Sequence, residues 1–350
     1  MRGRWPTSAS LPDTRKGSDV VHFAEGIEAQ PFALAESSAR VTAGLGAVPP
    51  PRPGQVIALV GIGASEYAVR GAARYWRDLG LRAFAVSAAD VAAGDAVPAD
   101  VVVAVSESGR STETIEAARA WGSVPSVALV NVPGSPLAQT CDATLELGSG
   151  EDSPVYTTGY TATLQALGLL GEHWSGRTGD WSALPAQAQQ VLDGTRDAVE
   201  ELAGTVDAAR LVDVVATGVS STTAGEGALL LRESARLLTA AHDTRNYLHG
   251  PMEPLGPEIT CLLAGDSREL RLARDTAALG CPTVLLTSAP DVRSEGPLTV
   301  LPLPHTTSPL ARAVLEMLPI QLLAWAVARR RGLPVDGFRY QQDDTKSPTA

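Results

Sequence analysis

Four hydroxyl side chains, Ser106, Ser108, Ser111 and Thr112, fall within the seven residues SESGRST. The segment directly follows the apolar run VVVAV and opens a helical pattern through Thr112, Glu113 and Thr114. The first N–H groups of a helix lack partners within it, so such a strand-to-helix turn binds anions, and hydroxyls add further donors. A lone serine at this place reads as an N-cap. Four hydroxyls in seven residues read instead as an anion site, and Ser65, closing the turn VGIGAS upstream, is a candidate to join it. The carboxyl ends of parallel strands are also where ligands bind in open α/β sheets.

A second chemical signal lies in AGEGALLLRESARLL, residues 224–238. Glu226 and Glu233 are seven apart, nearly two helical turns, and so share a face. Leu229, Leu230 and Leu237 fall on the same face, while Arg232 and Arg236 point elsewhere. Carboxylates among leucines either pair or take up protons, because an unpaired buried charge is costly. Glu233 is therefore a candidate general base near neutral pH. For Glu226 a structural Arg–Glu pair is the first reading. In YLHGP, His249 precedes Gly250 and Pro251 and stands on a turn. His22, His173, His242 and His305 have no such context. Lys346, one of only two lysines with Lys16, sits in the polar tail FRYQQDDTKSPTA. Such a tail by itself reads as disordered.

These candidates need a scaffold, and the apolar pattern supplies one. Short β-rich runs at residues 56–62, 82–86, 101–106, 126–130 and 143–147 alternate with helical stretches at 66–79 and 112–121. The second half repeats the plan, with strands at 211–217, 259–264, 283–287 and 298–303 and helices at 224–238 and 310–330. Continuous apolar strands alternating with helices imply an α/β fold of doubly wound parallel sheets flanked by helices. VGIGAS and ATGVSS open the two halves alike, an internal duplication of about 150 residues. The joining segments are read at 176–186 and around 203–207.

Composition narrows the function classes. The 350 residues carry 28 Lys and Arg against 39 Asp and Glu, a net charge of −11. That field repels phosphate-rich surfaces, which argues against nucleic acid and anionic membranes as partners. An anionic ligand must then be held locally. Cys141, Cys261 and Cys281 are odd in number and without metal-ligand spacing, so they read as reduced thiols of a cytoplasmic protein, and neither a metal nor a cofactor is called for. No run of ~18–20 apolar residues is evident. Residues 1–19 read as a polar arm.

Together the pieces resemble the sugar isomerase (SIS) domain family. They resemble above all the isomerase half of glutamine:fructose-6-phosphate amidotransferase (glucosamine-6-phosphate synthase) and its stand-alone deaminase and isomerase relatives. The resemblance runs from about Val21 to the C-terminus and rests on EGIEAQP, VGIGAS, SESGRSTET, NVPGSPL, EGALLLRE, LHGP, LPIQLLAWAVARRRGLPVD and the terminal TKS. It implies two tandem SIS domains, at 51–190 with the phosphate loop and at 205–335 with the catalytic helix. An N-terminal arm and helix (1–50) would precede them, and a tail (336–350) would cross the active site. It implies a homodimer with a shared site and a sugar 6-phosphate ligand. The phosphate set maps onto Ser65, Ser106, Glu107, Ser108, Ser111 and Thr157. The catalytic set maps onto Glu233 as proton shuttle, His249 for ring opening and supplied by the dimer partner, Lys346, and Glu226.

Three departures stand out. Leu230 occupies the place of a synthase lysine between the two glutamates. Thr157, Thr158 and Gly159 replace a Ser-Thr-Lys run. Residues 234–247 share little with the synthases. Residue 2 is Arg2 rather than the glutaminase cysteine, so glutamine is not expected to supply nitrogen. The expected activity is aldose–ketose isomerisation or deamination of a sugar or amino-sugar 6-phosphate such as glucosamine 6-phosphate. The alternative is a non-catalytic phosphosugar sensor, which needs the loop but not the base. Dinucleotide binding at GIGAS is the weaker rival, because a full GxGxxG is missing.

Overall fold

The computed structural model describes residues 21–94, 97–335, 337–340 and 342–348. The arm expected at 1–19 lies outside the described residues. Helices α1 (Phe23–Glu28) and α2 (Gln30–Gly44) lead into β1 (Val56–Gly61), α3 (Ala64–Asp78), β2 (Arg82–Ser87), α4 (Ala88–Ala92) and β3 (Val101–Val105). Then come α5 (Thr112–Ala120), β4 (Ser126–Val130), α6 (Pro136–Thr140), β5 (Ala143–Glu146) and α7 (Thr158–Ser175). The second half runs α8 (Leu184–Ala208), β6 (Leu211–Ala216), α9 (Ser221–Ala235), β7 (Thr239–Asp243), α10 (Thr244–Tyr247) and β8 (Ile259–Ala264). It ends with α11 (Arg268–Ala278), β9 (Thr283–Thr287), β10 (Leu298–Pro302) and α12 (Pro309–Arg330).

Two five-stranded sheets result, ordered β2-β1-β3-β4-β5 and β10-β9-β8-β6-β7, and every pairing is parallel. Counted from the start of each half, both orders are second–first–third–fourth–fifth, so the repeat seen in the sequence is a repeat of topology. Strand periodicity decides which face each residue serves. Ile57 and Leu59 of β1 join a large core that also contains Trp76, Leu167, Leu230 and Ile320, whereas Ala58 and Val60 join a separate core beneath α4, α5 and α6. The large core thus spans both halves. A third core lies on the far face of the second sheet.

The halves meet where α3 and α7 face α9. Gly225 of α9 lies so close to α3 that a Cβ there would land on the Tyr67 ring. Thr222 Oγ1 donates to the Tyr67 carbonyl at 2.7 Å and is hydrogen-bonded to Tyr160 Oη of α7 at 2.8 Å. A buried amide chain adds to this. Gln30 Nε2 donates to Gln321 Oε1 at 2.9 Å, and Gln321 Nε2 reaches the Thr157 carbonyl at 3.2 Å.

Four expectations need correction. The helix read at 224–238 spans Ser221–Ala235, because Arg236 takes the left-handed conformation (φ 53°) that ends helices, a place usually given to glycine. The freed residues allow β7, which pattern reading missed. As an edge strand covered on one side it needs no continuous apolar run. The connection read around 203–207 lies inside the 25-residue helix α8, and only 176–183 forms the link before it. Finally, α12 is long and apolar enough to cross a membrane by length and composition, contrary to the expectation. It is a core helix, with 89% of its most apolar window buried inside the fold.

Gly194 and Gly225 test this packing with opposite signs. In α8, a Cβ at Gly194 meets nothing within 4 Å, so Gly194→Ala gains helix propensity and raises stability by about 0.5–1 kcal/mol. Gly225→Ala gains the same propensity but overpacks against Tyr67, for a net loss of about 1–2 kcal/mol. Urea midpoints of the two variants check both signs.

Candidate active site

The serine loop stands at the carboxyl end of β3, and the turn carrying Ser65 stands at the end of β1. The strand order reverses between β1 and β3, which makes the gap between them the crevice where open α/β sheets hold ligands. Gly109 makes the loop possible. Its φ of 63° is left-handed, and a Cβ would collide with the Ser135 side chain. Ser106 and Ser111 are buried, and Ser106 Oγ donates to Ser111 Oγ at 3.1 Å. Ser111 is the N-cap of α5, yet its hydroxyl caps no backbone N–H. The turn is braced from β4, where Asn131 N donates to the Glu107 carbonyl at 2.8 Å and Asn131 Nδ2 to Glu107 Oε1 at 2.9 Å. Burial pushes the Glu107 carboxyl above its ordinary pKa, against the opposing hydrogen bond from Asn131.

The C-terminal tail crosses this loop, and Lys346 forms an isolated antiparallel bridge with Ser111. Ser347 N donates to the Arg110 carbonyl at 2.8 Å, and Thr112 N to the Thr345 carbonyl at 3.3 Å. Lys346 Nζ donates to Ser108 Oγ at 3.2 Å and to Ser111 Oγ at 3.4 Å. The residue is exposed overall, but its ammonium end lies against the loop, and that desolvation lowers its pKa. The disordered reading of the tail therefore fails at Lys346, where a second segment supplies backbone partners.

On α9, Glu226 faces the first half. Glu226 is 3% exposed, its Oε2 has no hydrogen-bond partner, and its charge is felt by Tyr67 and Tyr160. Burial, then the neighbouring Glu233 charge, raises its pKa well above the carboxylate range. The structural Arg–Glu pair expected here does not form. Arg232 turns away and donates to the Thr239 carbonyl at 2.7 Å. Glu233 is half-buried, and burial alone pushes its carboxyl up to about 7. Leu230 lies between them, 1% exposed.

The remaining candidates are placed as follows. Ser65 is half-buried in the first turn of α3. Thr157 is fully buried and its hydroxyl is taken up by Asp152, to which Thr157 Oγ1 donates at 2.6 Å. The same carboxylate caps α7 by accepting from Gly159 N at 2.7 Å. His249 is exposed on the turn after α10, and among the described residues no hydrogen bond or ion pair links it to Glu233. Its turn is anchored by Tyr247, whose Oη donates to the buried Asp213 Oδ2 at 2.7 Å. Sequence reasoning missed Asn131, Asp152 and Tyr67. Only Asn131 carried a signal, at the head of NVPGSPL.

Comparison with known proteins bears on this arrangement. The SIS domain family matches residues 55–172. The chain is 29% identical over 262 residues to the glutamine–fructose-6-phosphate aminotransferase (isomerizing) of Gloeobacter violaceus, covering 67% of this chain and 42% of that protein. For the Pyrobaculum aerophilum protein of the same name the identity is 28% over 253 residues, covering 68% and 42%. The chain thus spans about two fifths of the length of these relatives. Among solved structures, the C-terminal domain of glucosamine-fructose-6-phosphate aminotransferase from Francisella tularensis superposes with a TM-score of 0.77 at 20% identity, covering 93% of this chain and 99% of that one. Glucosamine-6-phosphate deaminase from Thermotoga maritima gives 0.78 at 19%, covering 91% and 98%. Tagatose-6-phosphate ketose/aldose isomerase from Escherichia coli gives 0.78 at 16%, covering 90% and 94%. The likeness to these structures is one of fold.

The raised Glu233 carboxyl has a consequence for stability. The folded chain keeps this proton up to about pH 7, whereas the unfolded carboxyl loses it near its ordinary value of 4.5. Between these values the unfolded state binds fewer protons, so the Glu233 contribution to stability falls as pH rises. The urea midpoint of the wild type relative to Glu233→Gln is expected to decline from about pH 4.5 to 7 and to level off on either side. A gap that stays constant with pH contradicts the shift.

Proposed function

We propose that this protein is a cytoplasmic aldose–ketose isomerase or deaminase acting on a sugar or amino-sugar 6-phosphate such as glucosamine 6-phosphate. In this reading two tandem SIS domains, residues 51–190 and 205–335, form a homodimer with a shared site. The observation that carries it is Glu233, a carboxyl held near neutral pH on a helix that packs against the half carrying the anion loop. A sensor needs no such base. The base works only on a sugar fixed relative to it, and Ser65, Ser106, Ser108 and Ser111 with the α5 N-terminus supply that anchor at the phosphate.

The chemistry then follows from one proton. His249, reaching in from the partner subunit, assists ring opening. Glu233 removes the C2 proton of the open aldose and returns it to C1. When C2 bears a hydroxyl, the product is the ketose. When C2 bears an amino group, the intermediate is an enolamine. Protonation at C1 leaves an iminium at C2, and water hydrolyses it to the ketose phosphate and ammonium. Leu230, in place of a cation between the two glutamates, leaves their pKa values raised, which favours the protonated Glu226 beside a working Glu233.

Purified protein incubated with glucosamine 6-phosphate and galactosamine 6-phosphate is expected to release ammonia without added glutamine, measured by a coupled dehydrogenase assay. Silence on both, together with conversion of a neutral hexose 6-phosphate, leaves the isomerase alone. Silence on all three, with tight binding, contradicts catalysis and leaves the sensor.

A further inference from the structure

Asp213 stands in the interior of β6, in the run LVDVVA, with a parallel strand on either side, and is 4% exposed. Its side chain enters the third core, to which Val215 and Tyr247 belong. A carboxyl buried among apolar side chains is costly unless it is hydrogen-bonded or paired. The partners of Asp213 come from the two elements that follow β6 across the edge of the sheet. Tyr247 Oη of α10 donates to Oδ2 at 2.7 Å, and His242 Nε2 of β7 lies 3.4 Å from Oδ1. The His242 and Tyr247 rings pack on each other with centroids 5.0 Å apart. Burial raises the Tyr247 pKa further above its ordinary value, so the phenol remains a proton donor to the acid.

What this acid holds is the turn two residues on. His249 N donates to the Asn246 carbonyl at 3.0 Å, and Met252 N to the Tyr247 carbonyl at 3.2 Å. Tyr247 is thus tied at its ring to β6 and at its backbone to the far end of the turn. The other end of α10 is held by Asp243, which accepts from Arg245 N at 2.9 Å and from Thr217 Oγ1 at 2.7 Å. The His249 ring is exposed, and among the described residues no side-chain hydrogen bond fixes it, so its place is set by the turn alone. We propose that Asp213, acting through Tyr247, is the positioning residue of His249. The proposal rests on the reading of His249 as the ring-opening group. It gives a buried acid that β6 does not need a task on the turn beyond it, and it explains why an aromatic donor stands two residues before the histidine.

A double-mutant cycle on the full chain separates positioning from mere support. Turnover of glucosamine 6-phosphate, or of whichever 6-phosphate above the protein converts, is measured for the wild type, Tyr247→Phe, His249→Asn and the double variant. Tyr247→Phe removes one hydroxyl and is expected to lower kcat about ten- to a hundredfold with KM within about twofold, because the phosphate is anchored elsewhere. Spontaneous ring opening leaves His249→Asn a residual turnover. In that background Tyr247→Phe is expected to cost less than about twofold, since a residue that acts through His249 has nothing left to act on. Asp213→Asn keeps an acceptor for Tyr247 Oη and is expected to retain most of the turnover, whereas Asp213→Val is expected to match Tyr247→Phe. Loss by the same factor in both backgrounds, or wild-type turnover of Tyr247→Phe, overturns the proposal and leaves Asp213 a structural acid. Full turnover by His249→Asn overturns the ring-opening reading and the proposal with it.

Discussion

The arrangement depends on how closely α9 approaches α3. Ser65 and the serine loop belong to the first sheet, whereas Glu226 and Glu233 belong to a helix of the second half. The two sets can serve one ligand only if the halves keep a fixed relation. Gly225 allows the approach because it has no Cβ to strike the Tyr67 ring. Thr222 then closes it with hydrogen bonds to Tyr67 and Tyr160. The large core continues across the junction through Trp76, Leu167, Leu230 and Ile320. Interiors packed in this way transmit position rather than absorb it.

The same junction explains the electrostatics. Turning a carboxylate face into a packed interface without a cation drives both glutamates towards their neutral forms. Glu226 lies deepest and shifts most, while Glu233, near the helix end, stops at about 7. Elsewhere in the chain a buried carboxylate finds partners for both oxygens, although burial still raises its pKa. Glu316 accepts from Ser220, Thr223 and Arg312 at 2.9, 2.6 and 2.8 Å. The contrast shows that the fold can satisfy a buried glutamate, and that on α9 it leaves Glu226 Oε2 unpartnered.

Much of this was legible in the sequence. Parallel strands buried on both faces announce themselves as apolar runs, so β1, β3, β4, β8 and β9 could be placed within a residue or so. The edge strand β7 could not, because TAAHD has no apolar run and Arg236 hides the helix stop that a glycine would have marked. Residues 203–207 of α8 read as a linker, since Gly204 interrupts the helical pattern there. The serine loop was visible from composition alone. The clasp over it was not, because backbone pairing between residues 235 apart leaves no local pattern, and only the resemblance pointed to Lys346. The Arg–Glu pair expected for Glu226 failed for a related reason: helix spacing tells which residues share a face but not what that face meets.

The central claim is that Glu233 moves a substrate proton while the loop holds the phosphate. The direct measurement is proton NMR of a sugar 6-phosphate incubated with the protein in deuterium oxide, following deuterium entry at C1 and C2. The account predicts incorporation with the wild type and a drop of about 10²–10⁴-fold with Glu233→Gln, which keeps the shape of the side chain but removes the proton acceptor. Incorporation by Glu233→Gln at the wild-type rate, or none by the wild type with any sugar phosphate that binds, would contradict it.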